Sequence, residues 1–143
     1  MYTPAYFHLH ELVPQSVYNA YSGSSRLWLC FDPLILRAGD LARERYGKMI
    51  ANTWKWGGRH QYRGLRSWDC EVGAELSQHK FGRALDLVPV EAAPEEIRQD
   101  ILKGSAPEIA ELISCLEMDI SWLHMDRGNR TANHESGLQL VYP

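Results

Sequence analysis

The hydrophobic pattern first becomes regular after Asp32-Pro33, where Leu34, Leu36, Leu41 and Tyr46 recur roughly at helical spacing before Gly47. Asp32 offers an N-cap, Pro33 suits the first helical position and Gly47 a stop, so the spacing predicts a helix over this stretch. Ahead of it, residues 7–14 (Phe-His-Leu-His-Glu-Leu-Val-Pro) read as a short amphipathic turn closed by Pro14. A Ser-, Tyr- and Gly-containing loop follows through Ser25, so that the N-terminal stretch is expected to be a lid or a packing arm.

Beyond the helix, residues 48–54 are compatible with a short strand, and residues 55–78 are rich in Gly, Arg, Trp and Ser without a period. A loop of that length in a small protein is usually functional or disordered. Residues 83–90 (Arg-Ala-Leu-Asp-Leu-Val-Pro-Val) read as a buried strand, and residues 94–103 as a helix with acids first, a base last and Gly104 as stop. Ser105 with Glu108 has the form of a capping box, predicting a second helix to about Leu116 with Glu117 at its end. Residues 119–126 alternate well enough for a strand, residues 127–136 are loop-like, and residues 138–142 offer a last strand. These elements predict an α+β fold with a small, mainly antiparallel sheet and helices packed to one side.

A length of 143 residues is about that of one domain, so one core and one site are expected over residues 1–143. A net charge of -3 provides no basic footprint for a phosphate backbone, and nucleic acid is not an expected partner. No stretch has the length of a membrane span, and the first residues lack the basic and apolar regions of a signal peptide. The expectation is a protein made in the cytoplasm. Cys30, Cys70 and Cys115 are odd in number and without CxxC spacing, which argues for reduced thiols and against a cysteine-based metal site.

The segment that carries chemistry is Ser77-Gln-His-Lys-Phe-Gly-Arg-Ala-Leu-Asp86, with an imidazole and a carboxylate seven residues apart across a glycine and an alanine. Zinc accepts both donor types, and a catalytic zinc typically takes three protein ligands plus a water. His124, on a separate candidate strand two residues after Trp122, is a third donor. On residue types alone, structural or surface histidines remain an open reading for a chain that holds six of them.

The pattern Ser-x-His-x-x-Gly-x-Ala-x-Asp, followed by Trp-x-His, resembles the family of zinc D-Ala-D-Ala carboxypeptidases and phage endolysins, to whose fold Hedgehog signalling domains are similar. Residues 7–12, the helix after Asp32 and the Arg63-Gly-Leu-Arg66 turn also look like that family's segments. The resemblance implies a Hedgehog/D-Ala-D-Ala peptidase-like fold with zinc held by His79, Asp86 and His124, and Arg66 meeting a substrate carboxylate or carbonyl. It implies a peptide or peptidoglycan substrate, and by analogy a protein associated with a phage or released to the cell wall.

Many members of that family carry an acid three residues before the last zinc histidine, whereas this chain has Ser121, which has no basic form near neutral pH. Glu117 and Asp119 lie seven and five residues before His124 and are the candidate general bases, Glu117 preferred because it ends the predicted helix and would lean over the site. Asp126, two residues after His124, is placed to orient that histidine through its second ring nitrogen. A competing class is a zinc-binding domain without hydrolytic activity, closed by a fourth protein ligand, acting in a virion or in peptide recognition.

Overall fold

Five strands form one sheet in the order β1-β2-β4-β3-β5 in the computed structural model, which describes residues 1–143. They are β1 (Met49–Ile50), β2 (Ala84–Pro89), β3 (Cys115–Glu117), β4 (Leu123–Asp126) and β5 (Gln139–Val141). All neighbours are antiparallel except β3 and β5. The fold is therefore α+β and mainly antiparallel, as the chain pattern predicts.

Strand alternation divides the sheet into two faces of different chemistry. Leu85 and Leu87 of β2, Leu116 of β3, and Leu123 and Met125 of β4 are fully buried and belong to one continuous hydrophobic cluster. Helix α3 (Pro33–Tyr46) packs against β2 and α4 (Pro94–Leu102) against β4, while the single turn α5 (Pro107–Ala110) contacts both helices. The alternate positions Asp86, His124 and Glu117 lie in one cross-strand row on the other face.

Helix α3 begins as its sequence predicts: the Asp32 carboxylate accepts the Leu34 amide at 2.8 Å and Pro33 occupies the first turn. Buried Asp40, on the same helix, accepts the Tyr2 hydroxyl and the Ala5 and Tyr6 amides. These bonds fasten the N-terminal stretch, and with Phe7, Leu12 and Val13 buried it is a packing arm, not a lid. No helix is long and apolar enough to cross a membrane.

Several expectations need correction. The stretch 15–25 is not wholly loop, since Gln15–Ala20 forms α2, after the short α1 (Leu9–Leu12), and a 3-10 turn spans Ser25–Cys30. The strand expected over 48–54 is only Met49–Ile50, with a 3-10 turn at Trp54–Trp56. The helix expected from Ser105 is reduced to Pro107–Ala110, with Ala106 at its N-cap and no side-chain cap. Cys115–Glu117 is strand instead, because Cys115 and Leu116 are fully buried in the ladder with β4, and pairing overrides the local helix signal. Finally, the last strand before the loop starts at Leu123, since residues 119–122 bend, with Asp119 at φ 56°.

Because Leu85 is fully buried on the helix-facing side of the strand that carries Asp86, Leu85→Ala is expected to destabilise the fold by about 3 kcal/mol. Denaturant unfolding measures this directly. A loss below about 1 kcal/mol would mean that the site collapses around the smaller side chain.

Candidate metal centre

His79 sits on a 3-10 turn, Gln78–Phe81, that ends at Gly82 with φ 65°. A Cβ at Gly82 would stand 1.9 Å from the Cys30 carbonyl oxygen, so both the backbone conformation and the space demand glycine. The reversal at Gly82 feeds the chain into β2, which brings Asp86 back beside His79. This is the local reason for the His-x-x-Gly-x-x-x-Asp spacing.

Asp86 and His124 are direct partners in the β2–β4 ladder, and His124 and Glu117 are partners in the β3–β4 ladder. The ligand atoms of His79, Asp86 and His124 all lie within 4.8 Å of one another. The Nε2 of His79 is 3.2 Å from one Asp86 carboxylate oxygen, and the Nδ1 of His124 is 2.6 Å from the other. A tetrahedral site with bonds of about 2.0–2.1 Å puts neighbouring donors about 3.3 Å apart. The three side chains form a buried group able to hold a metal ion.

Hydrogen bonds outside the group select which nitrogen faces inward. The Nδ1 of His79 is 2.7 Å from the Gly64 carbonyl, to which it donates, so Nε2 is the nitrogen turned to the centre. Gly64 is itself forced close to the Leu12 backbone, where a Cβ would meet the carbonyl oxygen at 2.2 Å. On His124 the outer nitrogen is Nε2, 3.5 Å from Asp126, leaving Nδ1 for the centre. Asp126, the neighbour of that outer nitrogen, is in turn held by the Gly128 amide at 2.8 Å and by Arg130 at 2.8 Å.

Burial opposes a charge on either imidazole, and His79 lies below the ordinary histidine value for that reason. For His124 burial acts the same way, but hydrogen bonds to Asp126 and Asp86 outweigh it and push the ring up to about 9. Burial would raise Asp86, yet its bonds to His124 and His79 hold it well below the usual carboxylate range. Asp126, similarly buried, is held at about 2 by His124, Arg130 and the Gly128 amide.

The group opens into a cavity of about 340 Å3 whose walls include Arg66, Val72, Gly73, Glu117 and Trp122. Arg66 reaches Asp86 at 3.1 Å through Nη2, Tyr62 O at 2.7 Å through Nε and Val72 O at 3.2 Å through Nη1. Three of the five guanidinium N–H groups are thus engaged, leaving one on each terminal nitrogen. Glu117 lines the cavity from the end of β3, not from the end of a helix. Asp119 is exposed on the hairpin and does not line it.

No family model, curated protein or solved structure matches the chain. The centre is therefore read from its own geometry. Sequence reasoning missed Val72, Gly73 and Ala74 as a wall, because an aperiodic loop has no pattern to show which residues turn inward. The Gly64 carbonyl was equally invisible, since any residue carries a carbonyl.

Binding a cation must displace the proton shared between His124 and Asp86, so loading below about pH 9 should release close to one proton per ion. Apparent affinity should rise about tenfold per pH unit through neutrality and level off above the His124 value. Calorimetry in buffers of different ionisation enthalpy counts the protons, and an affinity flat between roughly pH 6 and 8 would contradict the assignment. Without the ion, the raised His124 value contributes stability fully below the unfolded value of about 6.5. That contribution is lost as pH rises through about 9. Asp126→Ala should weaken metal binding by about 10- to 100-fold while leaving the stoichiometry at saturation unchanged.

Proposed function

We propose that this chain is a zinc-dependent peptidase, and that its substrate is a short peptide, the D-Ala-containing stem or cross-link of peptidoglycan. The observation that carries the reading is a carboxylate, Glu117, set opposite His124 in the ladder beside a three-ligand group that opens into a cavity. Two imidazoles and one carboxylate, without a fourth His, Cys, Asp or Glu in the group, are the donor set of a catalytic zinc with one position left for reaction.

Zinc in such a site supplies Lewis acidity, polarising a carbonyl and lowering the pKa of water from 15.7 towards about 7. Glu117 takes the proton of the attacking water and passes it to the departing amine. Arg66, with its two remaining N–H groups, binds the substrate's carboxylate or carbonyl and keeps the scissile bond over the centre. Trp122 and Val72 flank the bound chain. Synthesis in the cytoplasm with release to the cell wall, on or from a phage, completes the proposal.

Metal analysis coupled to digestion of purified peptidoglycan and of synthetic stem peptides tests it. The protein should hold close to one zinc per chain, and His124→Ala should lose it. Glu117→Gln should keep zinc and lose about 10² to 10⁴ in rate, while Asp119→Asn and Ser121→Ala should have little effect. Arg66→Ala should keep zinc and lose cleavage of carboxylate-terminated peptides. Stoichiometric zinc with every stem peptide left intact would instead identify a zinc-holding recognition domain.

A further inference from the structure

The hairpin that joins β3 to β4, residues 118–122, connects the strand carrying Glu117 to the strand carrying His124, and Trp122 from it forms part of the cavity wall. None of residues 119–122 makes a backbone–backbone hydrogen bond. Asp119 adopts φ 56°, the left-handed turn conformation that aspartate enters more readily than most residues with a Cβ. The indole N–H of Trp122 is buried without a partner, so its own side-chain bonding does not fix the wall either. Met118 is buried and its amide donates to the Val141 carbonyl at 2.8 Å, so it is residues 119–122 that something elsewhere must hold.

Arg98, on α4, is placed to do so. Its side chain is 3% exposed, and its two terminal nitrogens donate to the Ile120 carbonyl at 3.0 Å and the Trp122 carbonyl at 2.9 Å. Nε donates to Glu95, whose carboxylate is half-exposed and bound to Gln99 as well. Burying a guanidinium is costly, and an apolar residue of similar volume commonly serves stability as well or better. What the arginine adds is a rigid fork that fixes two carbonyls two residues apart, a geometry that no lysine reproduces.

We propose that Arg98 is a positioning residue of the site: its fork sets the 118–122 hairpin and thereby the place of Glu117 and Trp122 relative to the metal ligands. The functional part of this inference rests on the peptidase reading above. The ligands themselves are held independently, by the β2–β4 ladder and the turn before Gly82.

The test uses the zinc-loaded protein with Arg98→Met, which keeps the apolar stem, Arg98→Lys, which keeps charge without the fork, and Glu95→Gln, which weakens only the ion pair. Arg98→Met should retain one zinc per chain. Its kcat should fall roughly 10²-fold, the scale expected for a misplacement near 1 Å, with KM changed less than about threefold. Arg98→Lys should not recover the rate, and Glu95→Gln should stay within about twofold of the unsubstituted protein. If Arg98 acts through Glu117, adding Arg98→Met to Glu117→Gln should cost less than about twofold more. A loss in that background as large as in the original would overturn the proposal.

A second measurement does not need activity. Order parameters from amide relaxation at residues 119–122 should drop from about 0.85 to below about 0.6 in Arg98→Met, while β2 and β4 keep their values. Unchanged order across the hairpin would overturn the proposal whether or not the protein cleaves peptides. Absence of cleavage in the unsubstituted protein, together with the loss of order, would defeat the peptidase reading and leave Arg98 as the organiser of the hairpin.

Discussion

The antiparallel register that sets Asp86 opposite His124 is the constraint on which the rest of the centre depends. It places a carboxylate and an imidazole on one face of the sheet, while Leu85 and Met125, paired one residue away, face the helices. Slipping β4 by one residue would exchange those faces, burying His124 among leucines and turning Met125 toward the cavity. The apolar face thus holds the polar one in place: Leu123 and Met125 are fully buried against the face that Leu85 and Leu87 share, and both would leave it in such a slip. β3 extends the same register, adding Glu117 as the third member of the row.

Charges on that row are arranged to tolerate burial. Arg130, Asp126, His124, Asp86 and Arg66 form an alternating series of bonded cations and anions from the C-terminal loop to the cavity. Each anion is bonded to a group of opposite sign, the condition under which buried charge persists. Such a series contributes little net stability, and an apolar row could fill the same space. Its value lies in direction, because Asp126 and the Gly64 carbonyl each occupy one nitrogen of a histidine and turn the other inward. The Nδ1 of His124 and the Asp86 oxygen 2.6 Å from it are two of the atoms between which a cation would lie.

Much of this was legible in the chain because the informative residues are local. Asp32-Pro33 and Gly47 bracket α3, and the apolar run around Asp86 that ends near Pro89 marks β2 as a buried strand. The interval from His79 across Gly82 to Asp86 describes a turn followed by a strand. What the chain hid was non-local. Ser105 and Glu108 carry a valid helix-start pattern, yet the segment after Ala110 gains more from joining the sheet, where Leu116 is fully buried. Glu117 was named as a candidate for an incorrect reason: it faces the cavity as the strand partner of His124, and no spacing within a single segment reveals a partner on another strand. Arg98 carried no signal, since a basic residue in an amphipathic helix ordinarily faces solvent.

The same distinction accounts for Ser121. An acid three residues before a ligand histidine can approach the centre only if the backbone between them supports it, and here residues 119–122 are bends outside the ladder. Cross-strand partners stand about 4.5–5.5 Å apart at their Cβ atoms, within reach of a glutamate, so a carboxylate opposite the histidine needs no such backbone. In the proposed enzyme the proton-transfer group stands on the strand beside that of the ligand histidine. Its placement then depends on two things, the β3–β4 register and whatever holds the hairpin that closes it. Arg98 is the side chain bonded to that hairpin's carbonyls, which is why a residue on a helix of the opposite face enters the chemistry.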